Sequence, residues 1–214
     1  IFGGDIATGQ DPDTGVEYME ERAIPERVEM LAKRVQRWVE LRRKANRDKR
    51  VFLQYFNFPP GKEGVGASFL NVVPESLWQV MTRMKQEGYN LDGMPAEKAA
   101  LQEAVLEQGS NIPNWNHDLI EALAKGGHAV LLPVETYKKW FAELPQSAQD
   151  FVIKSHGRPE VNTIMAYVDD KGKRYFVLPV IRYGNVLLGP QPSRGWTEDP
   201  EHLYHDVTIS APHQ

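Results

Sequence analysis

The sequence contains no cysteine among its 214 residues. A chain without cysteine forms neither a disulfide framework nor a thiolate metal site. A chain of this length also buries enough apolar surface to fold without such cross-links. The absence fits a reducing compartment, and the cytoplasm is the predicted location.

Long apolar runs and an excess of positive charge are also missing. The longest apolar stretches, 129–134 and 176–181, are each interrupted by proline, whereas a membrane span needs roughly 20 apolar residues. Lysine and arginine total 25 against 29 aspartate and glutamate, which gives a formal net charge of −4. Binding to nucleic-acid phosphates depends on positive charge. We therefore expect no membrane span and no nucleic-acid partner.

Motifs for nucleotide binding and for self-contained hydrolysis are absent as well. The glycine loop at 61–68 places Lys62 directly after its first glycine, whereas a P-loop needs adjacent Lys and Ser/Thr after its second. Neither a Gly-x-Ser-x-Gly elbow nor a His-Glu-x-x-His helix occurs. We expect this chain to bind no ATP of its own.

The composition is that of an ordinary globular protein, with 41% apolar and 25% charged residues. Helical spacing of apolar residues predicts helices over 25–46, 68–87, 95–108, 116–125, 133–143 and 145–155. Runs of β-branched and aromatic residues predict strands at 51–58, 164–168, 175–181 and 185–189. The expected fold is α/β, with βα units and amphipathic helices followed by a short β meander and an ordered C-terminal loop.

Composition also predicts the division of the chain. Residues 1–24 form a lead-in segment rich in turn residues, 25–160 an α/β region with the glycine loop, and 161–214 the meander and C-terminal loop. The last two parts are expected to form one compact unit. Because the first residue is Ile1 and no signal sequence precedes it, we expect an internal piece of a longer chain.

Candidate site residues occur in the glycine loop and near the C-terminus. Gly64 and Gly66 lie between a predicted strand and a predicted helix, where one or both are expected to adopt positive φ or to allow close approach of a ring. His205 lies three residues after His202, with two aspartates nearby, so the pair can be read as metal ligands or as ordinary surface histidines. His213 can likewise be a functional base or an exposed terminal residue.

Two ordered blocks of sequence carry a resemblance to a known family. The first comprises Glu26-Arg27-Val28-Glu29, Leu31-Ala32, Arg34, Arg37-Trp38, Leu41-Arg42, Phe56-Asn57-Phe58-Pro59-Pro60-Gly61-Lys62, Gly64, Gly66 and Leu70-Asn71-Val72. The second comprises Tyr183-Gly184-Asn185-Val186, Gly189, Gln191-Pro192, Arg194-Gly195-Trp196, Asp199-Pro200 and Ala211-Pro212-His213. Together they resemble the large subunit of the cobalt and magnesium chelatases of tetrapyrrole biosynthesis. Within that family, Tyr204-His205-Asp206 resembles the cobalt (CobN-like) type.

The resemblance implies an enzyme function. The chain would be a fragment of the tetrapyrrole-binding subunit of an ATP-dependent cobaltochelatase, a ligase that inserts Co²⁺ into a corrinoid precursor in cobalamin biosynthesis. Its partners would be the rest of the large subunit and AAA+ ATPase subunits that use the ATP. Two alternatives stay open: a magnesium chelatase acting on protoporphyrin IX with Mg²⁺, and a non-catalytic scaffold domain that docks partners. The isolated fragment is expected to be inactive.

The same resemblance implies roles for particular residues. His205 and His213 would accept ring protons and hold the metal transiently. The ring would be contacted by the amide side chains Asn185 and Gln191, by the guanidinium of Arg194, and by the backbone at Gly64 and Gly66. The alternative is that Gln191 and Arg194 satisfy backbone groups of an irregular loop and that the histidines lie in solvent. An arginine is suited to this because its planar fork binds carboxylate or amide substituents through two hydrogen bonds.

Overall fold

A computed structural model describes residues 3–58, 60–66, 73–113, 116–127, 129–192, 210 and 213, with only the backbone for 3–8, 19–22, 73 and 74. The chain divides into two units, Ile1–Ala45 and Asn46–Gln214. The boundaries predicted from composition at 24 and 160 fall inside these units. No helix among the described residues is long and apolar enough to cross a membrane.

The first unit contains a hairpin and one helix. Strands β1 (Gly3–Gln10) and β2 (Glu17–Ala23) pair antiparallel around a turn in which the Asp11 carboxylate accepts the amides of Asp13 and Thr14. Helix α1 (Pro25–Arg43) follows, with proline in its first turn and arginines in its last. The helix is confirmed. The lead-in segment is a hairpin, because its acidic turn joins two segments that pair.

The second unit holds the remaining elements. In chain order these are β3 (Val51–Tyr55), α2 (Val73–Gln86), α3 (Lys98–Gln108), α4 (His117–Lys125), β4 (Val130–Pro133), α5 (Val134–Phe141), α6 (Gln146–His156), β5 (Ala166–Val168), β6 (Arg174–Leu178), β7 (Ile181–Tyr183) and β8 (Val186–Pro190). Helices α2 to α5 lie within the ranges predicted for them, and α6 ends one residue beyond its predicted range, at His156. Residues 67–72, at the predicted start of α2, lie outside the described residues.

The first sheet of this unit has the strand order β3-β8-β7. Strands β3 and β8 are parallel, with Val51 opposite Val186 and Tyr55 opposite Pro190. Helices α2 and α3 cover one face of this sheet, where Met81, Leu101 and Leu188 are fully buried. This packing leaves the opposite face, which carries Phe52 and Gln54, free of that core.

The second sheet has the order β4-β6-β5 and is antiparallel throughout. Adjacent residues of a strand point to opposite faces, and both faces of β6 are buried. Val177 packs in the core with Ile120 and Leu123 of α4, while the Phe176 ring lies 5.1 Å from the Tyr137 ring of α5. Helices therefore cover this sheet on both sides.

The mixed α/β fold class is confirmed, and the strands predicted as a short meander divide between the two sheets. Strands β5 and β6 form one hairpin and β7 and β8 another, in different sheets. The chain leaves the second sheet after Leu178, at Pro179, which cannot donate a hydrogen bond to a sheet ladder. The C-terminal loop at 193–209 lies outside the described residues.

Candidate functional site

The two blocks of motif residues leave the first sheet at the same end. Because β3 and β8 are parallel and in register, the glycine loop after Tyr55 and the segment after Pro190 begin side by side. The Gln191 N–H donates to the Tyr55 carbonyl over 2.7 Å and extends the pairing by one residue. Ligands of α/β sheets bind in the crevice beyond the carboxyl ends of parallel strands. We call this region the loop end of the sheet.

The glycine loop folds back on itself as a small hairpin. The Phe58 N–H donates to the Gly64 carbonyl over 3.1 Å, and the Gly66 N–H donates to the Phe56 carbonyl over 2.9 Å. Gly66 has φ of +68°, which confirms the prediction of positive φ at one of the two glycines. Gly64 is buried.

Two buried asparagines join this loop to the segment after β8. The Asn57 side chain accepts the Asn111 N–H over 2.6 Å and donates to the Gly61 carbonyl over 2.9 Å. The Asn111 carbonyl accepts the Gly61 N–H over 2.7 Å, and its side chain donates to the Gln191 carbonyl over 2.7 Å. Asn111 is fully buried. The pair therefore fixes the glycine loop relative to Gln191.

A groove of about 430 Å³ opens beside this junction, between the two sheets. Phe52, Gln54 and Leu187 line it from the first sheet, and Val130 and Leu178 from the second. Phe52 and Val130 are each about half exposed, at 49% and 48%. We call this cavity the inter-sheet groove.

The other described residues of the groove wall are apolar except for Asn111. Three prolines, Pro179, Pro190 and Pro192, contribute to it together with Val180 and Asn111. The Phe52 ring packs directly over Gly189, where a Cβ would lie 3.0 Å from that ring and 3.3 Å from the Pro179 carbonyl oxygen.

A second cavity of about 330 Å³ lies on the other side of Asn111, beside the glycine loop. Lys62 of the loop lines it and forms an ion pair with Glu107, both side chains being about half exposed. The carboxylate offsets the charge of Lys62, so this loop does not present it to a phosphate as a P-loop does.

Asn185 lies at the opposite end of β8, roughly 20 Å from Gln191 at the usual rise per strand residue. Its side chain donates to the Arg47 carbonyl over 2.8 Å, and its N–H donates to the Asn90 carbonyl over 3.0 Å. The structure does not bring Asn185 together with the other predicted ring contacts.

His213 lies in a third place, packed among aromatic rings. Its ring centroid is 5.1 Å from that of Phe141 and 5.5 Å from that of Tyr137. Nε2 lies 2.9 Å from the Gly157 carbonyl oxygen, which can only accept, so Nε2 carries the proton. Nδ1 then accepts the Tyr137 hydroxyl over 3.1 Å. Burial lowers the pKa of His213, so the neutral form is favoured.

Two predicted site residues, Arg194 and His205, lie outside the described residues. Within the described ranges, no group of three or more His, Asp or Glu side chains is arranged to hold a metal ion. The inter-sheet groove and Asn111 were not predicted. Asn57 belonged to a quoted motif, but Asn111 and Phe52 carried no local signal, since their role depends on pairing between distant segments.

Comparison with known proteins gives the family. Residues 4–214 match the CobN/Magnesium Chelatase family model. The chain is 32% identical to the chloroplastic magnesium-chelatase subunit ChlH of rice over 97% of its length and 31% identical to the aerobic cobaltochelatase subunit CobN of Pseudomonas aeruginosa over 89%. It spans 13% and 14% of the lengths of these two relatives.

A solved structure of a chelatase subunit is also similar to this chain. The catalytic subunit of cobaltochelatase from Mycobacterium tuberculosis superposes with a TM-score of 0.71 at 26% identity, covering 99% of this chain and 16% of that subunit. The match includes the mixed α/β architecture described above. The chain belongs to the CobN/magnesium-chelatase family and corresponds to a fragment of a chelatase large subunit.

Proposed function

We propose that this chain is part of the tetrapyrrole-binding large subunit of a chelatase that inserts Co²⁺ into a corrinoid precursor ring. Family membership supports the chelatase role. The choice of cobalt rests on Tyr204-His205-Asp206, because the relatives that use cobalt and magnesium are about equally similar. Insertion of Mg²⁺ into protoporphyrin IX is the second candidate, favoured by the 32% identity to the rice magnesium-chelatase subunit.

The observation that carries the proposal is the meeting of both motif blocks at the loop end of the sheet. Gly64 and Gly66 come from the first block and Gln191 from the second, and Asn57 and Asn111 tie the two together. A ring held here would contact both blocks at once. Arg194 follows Gln191 by three residues, and its proposed role is to bind an acid or amide substituent of the ring.

Insertion requires bases, because ring nitrogens release protons as the metal binds. We assign proton uptake and transient metal binding first to His205. His213 can bind a metal at Nδ1 only after the Tyr137 hydroxyl moves away, because its Nε2–H is held by the Gly157 carbonyl; a proton at Nδ1 requires that hydroxyl to turn and accept the hydrogen bond. Its proposed contribution to insertion is therefore to position the C-terminal segment.

ATP enters this proposal through partner subunits. The glycine loop lacks P-loop spacing, and Glu107 is paired with its lysine. AAA+ ATPase subunits would supply ATP hydrolysis, and the rest of the large subunit would supply the remaining ring contacts.

The test uses the complete large subunit with its ATPase partners. We expect ATP-dependent insertion of Co²⁺ into a metal-free corrinoid, with little insertion of Mg²⁺ into protoporphyrin IX. Arg194→Ala should raise the ring dissociation constant, whereas His205→Ala should slow insertion with ring affinity largely kept. Magnesium insertion alone would establish the second candidate, and failure to bind or metallate either ring would contradict both.

A further inference from the structure

We propose that the inter-sheet groove binds one edge of the macrocycle, with Phe52 against the ring face. The proposal rests on the function proposed above and assigns a place to its substrate. The groove volume, about 430 Å³, lies within the usual range for small-molecule sites. A substituted tetrapyrrole is larger than this, so the groove would take one edge and leave the metal-binding centre outside.

The chemistry of the walls selects a flat apolar ligand. No charged side chain is among the described lining residues. Proline and branched aliphatic groups give rigid apolar walls, and the Phe52 ring offers a π-face for stacking. Water in such a groove makes few hydrogen bonds, so an apolar edge that displaces it is favoured.

The polar groups of the groove lie where a ring substituent can reach them. Gln54 is exposed, and its side-chain amide makes no hydrogen bond to any described residue. Asn111, by contrast, uses its amide to hold Gln191. Gln54 can therefore donate to an acid or amide group on the ring periphery, next to the loop end where the motif blocks meet.

A polypeptide segment fits this groove less well than a macrocycle does. An extended segment carries an N–H and a carbonyl at every residue, and these would face apolar walls without partners. A tetrapyrrole keeps its nitrogens at the centre and its acid or amide groups on flexible arms, so the ring face between them is apolar. Phe52 packs against Gly189 on one side and is 49% exposed, so part of its ring stays open to a flat ligand.

The experiment measures ring binding by the full large subunit, using protoporphyrin IX and a metal-free corrinoid as probes and absorbance and fluorescence as readouts. Phe52→Ala removes the stacking face from a half-exposed position, so the fold should survive. Phe52→Trp preserves a ring and serves as the conservative variant. Val161→Ala is the matched control, since Val161 is 64% exposed and does not line the groove.

We expect Phe52→Ala to raise the dissociation constant of the bound probe about tenfold, as loss of one stacking side chain does elsewhere. Phe52→Trp should stay within about twofold of the wild type, and Val161→Ala should be unchanged. Gly189→Ala adds a methyl group that displaces the Phe52 ring, so it should weaken binding in the same direction.

Three results would overturn the proposal. If every variant binds both probes like the wild type, the groove is not a ring site, although the proposed function stands. If Phe52→Ala lowers the Tm of the ligand-free subunit and leaves ring binding unchanged, another segment of the subunit fills the groove. If the wild-type subunit binds neither probe, both the groove assignment and the proposed function fail.

Discussion

Both ends of the β3–β8 pair carry residues of the family motifs. At one end these residues close the fold, and at the other they surround cavities. At the end near Asn185, here called the turn end, the chain is closed by hydrogen bonds to Asn90 and Arg47. A Cβ on Gly184 would lie 1.9 Å from the Asn90 side-chain oxygen, so no space is left there. At the loop end, cavities of about 430 and 330 Å³ flank Asn111.

This difference separates folding residues from candidate binding residues within one motif. Tyr183-Gly184-Asn185 is as much a part of the family pattern as Gln191, yet its polar groups bind the protein's own backbone. The residues at the loop end hold two loops in place around open space. A family motif therefore contains both kinds of residue, and only the geometry distinguishes them.

The turn end should be the more sensitive to backbone changes. Gly184 has φ of +55°, and a side chain there meets Asn90, so Gly184→Ala should cost about 3 kcal/mol of unfolding free energy. Gly172→Ala is the control, because Gly172 also has positive φ (+77°) but nothing within 4 Å. The control should cost only about 1 kcal/mol. Equal losses in denaturant titrations would show that crowding at Asn90 is unimportant.

The same substitution at both ends separates stability from ring binding. Asn57→Ala removes the acceptor of the Asn111 N–H at a buried site and should cost about 2 kcal/mol while weakening ring binding. Asn185→Ala removes one hydrogen bond to Arg47 at an exposed site and should cost about 1 kcal/mol or less. Its ring dissociation constant should match the wild type. If Asn185→Ala weakens ring binding and Asn57→Ala does not, the turn end rather than the loop end contacts the ring.

The smallest expected effect concerns His213 and pH. Burial lowers its pKa below the ordinary 6.5 of histidine, aided by nearby His156 and opposed by the Gly157 hydrogen bond and Glu160. The unfolded chain therefore binds a proton more readily than the folded one as pH falls. This contribution to stability is complete above about pH 6.5 and declines below it.

A neutral replacement tests this dependence. The Tm advantage of the wild type over His213→Gln should shrink as pH falls from about 7.5 towards 5. His117→Gln, at an exposed position at the start of α4, is the control, and its Tm should fall at acid pH as much as that of the wild type. A difference in Tm that is constant across pH would mean that His213 does not titrate in this way.

The sequence alone predicts the helices but does not predict how the strands pair. Helices α1 to α6 follow from local apolar spacing and proline starts, which need no knowledge of partners. The parallel pairing of Val51 with Val186 joins positions more than 130 residues apart, so no local pattern reveals it. Gly66 and Gln191 belong to local motifs, so the sequence alone predicts them as site residues. Phe52 and Asn111 reach the site only through pairing of distant segments, so the sequence alone does not predict them.

Hydrogen–deuterium exchange of the complete large subunit, with and without bound protoporphyrin IX or a metal-free corrinoid, tests the central claim most directly. The claim is that the loop end binds the ring and the turn end only closes the fold. Peptides covering 56–66 and 187–192 should gain protection when the ring binds, whereas peptides covering 181–186 should not change. Protection confined to the turn end, or unchanged exchange at the loop end with the ring bound, would contradict the account.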